Sequence, residues 1–214
     1  MKRSDLINVD SNCYYDAELI KKSAIHEAGH AAAIYLLNKR QQLPPVFFRI
    51  CLPSPFIEPQ AFYQSSAYIE GGRLIHTLPL SIENQFNDFS VQQQHAYSQA
   101  FDADIINLLA GPLAEAKYIA LRDKQLFSAD TLSLEQLAHY GGQFDLATVQ
   151  EYLCCLSDDA CEQTKKGQAL FLAAFNFVND ALHWAAIVRL ANYISEQGKL
   201  VIDCEEAIAV LDAS

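Results

Sequence analysis

Between Ile25 and Leu37 the chain reads IHEAGHAAAIYLL. Apolar residues recur around it at Leu19, Ile20, Ile25, Ala28, Ala32, Ala33 and Leu36, which is helical spacing. The pattern predicts one long helix from about Asp16, a residue able to cap it, to Asn38, where NKRQQLPP ends it. Such a helix is buried on most sides, and Ala28 and Gly29 leave room for another backbone to come close. Yet it carries His26, Glu27 and His30. Buried polar groups need partners. Two histidines at i and i+4 project from one side of a helix, so both imidazoles reach one zinc ion at about 2.0–2.1 Å. Glu27 lies about 100° further round, displaced from a ligand's position but able to touch a metal-bound water. Zinc lowers the pKa of such a water to about 7, and a carboxylate there takes its proton and returns it to a leaving amine. Two histidines on a solvated face would be spelled the same way; the alanine-rich surroundings favour the metal.

Two ligands do not complete a catalytic zinc site, which uses three and keeps a position open. Glu115, Asp145, His76, His95, His139 and His183 are the candidates for the third, and spacing does not choose among them.

The rest of the chain reads as mostly α with a small sheet inserted after the HExxH helix. VFFRICL (46–52) has strand composition, LPSPFIEPQ is broken by prolines, and AYIEGGRLIHTL suggests two short strands in a hairpin turning at Gly71-Gly72. The sheet is therefore expected over about 45–80. From Phe89 the helical pattern resumes. Gly111-Pro112 inside FDADIINLLAGPLAEAKYIALRD should kink that helix or admit a neighbouring backbone. A short helix starts near Ser133 and another near Asp145. The part from about 164 to 214 reads as one long helix, an EQGKL turn and a final short helix.

With 214 residues, 51% hydrophobic and 19% charged, the chain suits a single domain spanning 1–214 with a full core. A net charge of -11 sets nucleic acid and anionic membranes aside as partners. No apolar run reaches spanning length, and the first residues hold no apolar signal region, so the expected location is cytoplasmic. The six cysteines form no CxxC pair and are expected to be reduced, small apolar residues.

The words AIHEAGHAAA, LLAGPLAEAKY, GGQFDLATVQEYL and ALHWAAIVRLANYISEQGKLVID, in that order, resemble the peptidase domain of FtsH-type AAA zinc proteases. The resemblance covers the helical parts of most of the chain; HEAGH is its specific element. It implies His26, His30 and Asp145 as zinc ligands and Glu27 as the catalytic base. It implies for Glu115 the role of holding a histidine ring, or of an alternative third ligand. An Asp at position 145 also suits a plain helix cap. Pro112 stands where the family has Arg, and Ala116 where it has a second Glu. The connection from Glu115 to Asp145 and the sheet region are both longer than usual. The motor's GxxxxGK[ST] loop is missing; the one Gly-Lys pair, Gly198-Lys199, is followed by Leu200.

The expected function is thus a zinc metallopeptidase that cuts flexible or unfolded polypeptides by metal-activated water, without ATP of its own. A separate ATPase or adaptor delivering substrate, and an oligomer, are both compatible with it. A sheet edge in AYIEGGRLIHTL is the expected seat of the peptide. The alternatives are a zinc-binding regulatory or interaction module of the same fold with little turnover, and a peptidase dedicated to one protein. An intact Glu27 speaks against the former.

Overall fold

In a computed structural model, the described residues are 7–53, 67–79 and 89–213, with side chains from residue 17 on. Helix α1 (Ile7–Ala32) continues through a π-helical turn, Ala33–Leu37, and a last turn, Asn38–Arg40. It starts earlier than its apolar pattern suggests, so Asp16 lies inside it rather than at its cap. Every residue from Ala24 to Ile34 is buried. Strands β1 (Phe48–Cys51) and β2 (Tyr68–Gly71) follow. Helix α2 (Val91–Arg122) runs through the centre of the molecule. Ser90 caps it, accepting from the Gln93 backbone N–H while the Gln93 side chain accepts from the Ser90 N–H. After a 3₁₀ turn, Glu135–His139, come α3 (Gln143–Leu156), α4 (Ala160–Asn179), α5 (Ala181–Glu196), β3 (Val201–Asp203) and α6 (Cys204–Asp212). Mostly helical with a small antiparallel sheet is therefore the observed class.

The sheet order is β2-β1-β3. Here the structure corrects two expectations. No hairpin turns at Gly71-Gly72; β2 pairs with β1, and the residues from 72 to 79 form no strand. Both glycines hold left-handed φ, +82° and +78°, and turn the chain toward α2. There the Asp104 carboxylate accepts the N–H groups of Leu74 and Ile75 at 2.9 and 2.8 Å, so these N–H groups serve a side chain instead of a ladder. The third strand, β3, comes from the C-terminal part, where the sequence suggested a turn between helices. Ile202, fully buried, lies opposite Ile50.

The long C-terminal helix is likewise two helices. Asp180 ends α4 and caps α5, accepting from Leu182 and His183 N–H at 2.9 and 3.0 Å. Lys117 of α2 closes this joint. Its ammonium donates to the Val178 carbonyl and the Asn179 side chain and lies 4.6 Å from the Trp184 ring centroid. Cys51 and Cys204 are buried as expected; Cys154 and Cys161 are exposed, because they sit on the outer faces of α3 and α4. The five described cysteines are free. The proline-broken stretch lies mainly in 54–66, outside the described residues.

α1, α2 and α5 make the centre of the core, through Ile25, Leu109, Leu113, Ile187 and Leu190 among others. The close approach expected of the small residues is realised between α1 and α2. A Cβ on Gly29 would stand 2.6 Å from the Ala110 carbonyl oxygen, and one on Gly111 2.2 Å from His30 Nε2. Only glycine fits at either place, and this is what brings α2 against the histidines. Pro112 sits within a continuous α2. Among the described residues no single helix is long and apolar enough to cross a membrane.

Candidate metal centre

His26 and His30 project from α1 toward the first turn of α3. Asp145 lies in that turn, after the glycine pair 141–142. Its two carboxylate oxygens stand 3.3 Å from His26 Nε2 and 3.4 Å from His30 Nε2. Gly141, with φ +74°, lets the backbone pass here; a Cβ on it would meet Glu115 Oε2 at 2.9 Å and His26 Nδ1 at 3.1 Å.

Each ring is also held from behind. His26 Nδ1 lies 3.2 Å from Glu115 Oε2. His30 Nδ1 lies 2.7 Å from the Asn107 backbone oxygen. A carbonyl only accepts, so His30 carries its proton on Nδ1 and presents a bare Nε2. This carboxylate or carbonyl behind each ring is the arrangement that fixes the tautomer of metal-ligating histidines.

His26, His30 and Asp145 could hold a metal ion: one ligand atom from each lies within 4.8 Å of the others. Zinc ligands at about 2.0–2.1 Å in tetrahedral array stand roughly 3.3 Å apart, close to the two spacings given above. Two imidazoles and a carboxylate make a donor set that divalent ions such as zinc or iron(II) accept. Glu115 touches the far side of the His26 ring rather than the shared space. Of the other candidates, His139 lines the same cleft. His76 and His95 are exposed, and His183 donates to the Phe177 carbonyl on another face.

Electrostatics in the metal-free cluster follow from burial and proximity. Burial alone would lower the His26 pKa, but hydrogen bonds to Asp145 and Glu115 and the Glu27 charge outweigh it and hold it at about 10. Burial keeps His30 below its ordinary value. Burial would raise Asp145, but the charges of His30 and His26 and the His26 hydrogen bond hold it below the usual carboxylate range. Glu27 goes the other way. Burial, with the charges of Asp145 and Glu115, pushes it up to about 8 against the pull of His26. Its carboxylate also takes the Ile69 backbone N–H of β2.

The cluster forms the floor of a cleft of about 890 Å³. One wall is β2 and the residues after it; the other is the start of α3. Leu19, Tyr68 and Phe144 stand at its mouth, 52%, 53% and 63% exposed. The chain matches no protein-family model, no curated protein and no solved structure.

Two further groups of the cleft belong to no motif of the sequence. Asp104 and Asn107 both line it and both are buried. With Gly111 and Glu115 they form one stripe of α2, at helical spacing, facing the histidines. Polar residues at 104, 107 and 115 within the otherwise apolar stretch 103–116 are the signal that could have found them.

Proposed function

We propose that this protein is a zinc-dependent metallopeptidase with the fold of the FtsH-type peptidase domain, cutting flexible or unfolded polypeptides. One observation carries the reading. His26, His30 and Asp145 converge at ligand spacing with Glu27 beside them, on the floor of an open cleft.

His26, His30 and Asp145 would hold the zinc ion, with Glu115 and the Asn107 carbonyl orienting the rings. Zinc, when bound, supplies a Lewis acid that polarises a carbonyl and lowers the pKa of water. Glu27 accepts the proton of the attacking water and passes it to the leaving amine. Buried beside the ligands, its carboxylate is placed to move a proton in both directions. The Ile69 N–H keeps it aimed.

The substrate lies along β2. The Gly72 N–H donates to the Phe47 carbonyl at 2.8 Å, so the hydrogen-bonded pairs of this ladder alternate with Ile69 and Gly71. The backbone groups of Ile69 and Gly71 therefore point away from β1, toward α1 and the cleft. The Ile69 N–H on that edge is taken by Glu27; the Ile69 carbonyl and the backbone groups of Gly71 are left to meet an added peptide strand. The apolar mouth favours segments whose hydrophobic side chains are accessible, as in unfolded chains. The net charge of -11 adds a weak preference for basic ones.

Metal content tests the reading. Purified protein should contain one zinc per chain, kept in Glu27→Gln and lost or loosened in His26→Ala and Asp145→Ala. A wild-type chain that arrives without zinc and takes up none would overturn it.

A further inference from the structure

Each residue of the α2 stripe facing α1 has an evident use but one. Asp104 accepts from Leu74 N–H, Ile75 N–H and the Tyr152 hydroxyl. Gly111 makes room for His30. Glu115 holds His26. Asn107 offers its backbone carbonyl to His30, but its side chain has no partner. Both Nδ2 and Oδ1 are buried without a hydrogen bond, on a residue only 4% exposed.

A buried amide left unpaired carries the full cost of losing water. Leucine, nearly the same size, would avoid that cost and join the apolar residues around it. A primary amide with both ends free has two donors and an acceptor oxygen. These are complementary to the C=O and N–H of one peptide unit. Asn107 lines the cleft together with His30, Asp145 and Glu27, and its amide atoms, covered in the free protein, come within reach of a peptide once the side chain turns into the cleft.

We propose that the Asn107 side chain is a substrate-contact residue that hydrogen-bonds the backbone of the bound polypeptide next to the bond that is cut. The proposal rests on the metallopeptidase reading. Its unpaired amide is a cost that the free protein bears and substrate binding offsets, so binding energy is realised at the reacting centre rather than spread along the cleft. The carbonyl that orients His30 belongs to the backbone, so a side-chain substitution leaves the metal ligands as they are.

Asn38 provides a control. Its side-chain Nδ2 and Oδ1 are also buried without partners, on a residue 3% exposed, but it lies beyond the π-helical turn of α1 and does not line the cleft.

The experiment compares zinc-loaded wild type, Asn107→Leu, Asn107→Ala and Asn38→Leu on fluorescein-labelled casein. The anisotropy of the same casein gives affinity in a Glu27→Gln background. Zinc content and the melting temperature of the metal-free proteins are measured alongside. Both Asn107 variants should keep one zinc per chain and lose about 10- to 100-fold in kcat/KM. They should bind casein about tenfold more weakly. Asn107→Leu should melt at or above wild type, and Asn38→Leu should cleave as wild type does.

Asn107 variants that cleave and bind as wild type, in an enzyme that is active, would overturn this inference and leave the metallopeptidase reading standing. Activity that falls only as far as the melting temperature of Asn107→Leu falls would assign the residue to the fold and overturn it too. A zinc-loaded wild type that neither binds nor cleaves casein would remove the metallopeptidase reading and the inference together.

Discussion

Replacing Gly111 by alanine should remove a metal ligand without touching one. The added Cβ would lie 2.2 Å from His30 Nε2, 2.5 Å from Cε1 and 2.6 Å from Cδ2. Ordinary contact is about 3.5 Å, so the ring or the helix must give by about 1.3 Å. The ring is not free to turn, because its Nδ1–H is held at 2.7 Å by the Asn107 carbonyl, one turn earlier on the same helix. Moving α2 outward carries that anchor with it. A zinc site tolerates about 0.2 Å in its ligand distances, so the displaced Nε2 leaves the set. Zinc affinity should fall at least about 100-fold, the upper end of what misorienting a ligand costs. Overpacking should cost about 1–3 kcal/mol, offset by about 0.5–1 kcal/mol from the better helix propensity of alanine. The metal-free variant should thus lose at most about 2.5 kcal/mol and remain folded. Competition with a chromophoric chelator gives the affinity, and thermal unfolding gives the stability. A folded Gly111→Ala protein that binds zinc like wild type would refute the packing argument.

Metal-free stability should depend on pH in a definite direction. His26 is raised from 6.5 to about 10 and Glu27 from 4.5 to about 8, so both bind protons more tightly folded than unfolded. The stability that His26 contributes is complete below about 6.5 and lost as pH rises to 10, and that of Glu27 is lost from about 4.5 to 8. The metal-free melting temperature should therefore fall from pH 6 to 9, whereas zinc uptake should tighten over that range with release of a proton, measurable by calorimetry in buffers of different ionisation enthalpy. Asp104→Ala should leave two N–H groups, of half-buried Leu74 and buried Ile75, without an acceptor and cost roughly 3 kcal/mol in urea unfolding. Asp180→Ala should cost about 1 kcal/mol by the same assay, because two N–H groups at the start of α5 lose their cap; Asp180→Asn should cost less.

The centre was legible in the sequence to the extent that its chemistry is local. His26, Glu27 and His30 share a single helical turn, and spacing alone aims them together. Asp145 follows His30 by more than a hundred residues, and only the resemblance to a peptidase pointed to it. Its arrival depends on Gly29, Gly111 and Gly141, whose missing side chains let three backbones crowd the rings. The Gly71-Gly72 pair shows the opposite hazard. Two glycines in left-handed conformation turn a hairpin or divert a chain, and Asp104, some thirty residues away, decides which. β3 is three residues long, too short for alternation to mark it, and it forms because β1 offers a partner. The break at Asp180 was readable as Asn-Asp before an apolar helix, but continuous apolar content on both sides obscured it. Asn107 stands out only as a polar residue in an apolar stretch; its meaning lies in the partners it lacks.

The most direct test of the account is hydrolysis of unfolded casein by the zinc-loaded protein, wild type against Glu27→Gln at equal zinc content. The account predicts new amino termini from the wild type, none above background from Glu27→Gln, and no activity in the wild type once a chelator has removed the metal. Equal release of amino termini by the two proteins, or none by a wild type carrying its full zinc, would contradict it.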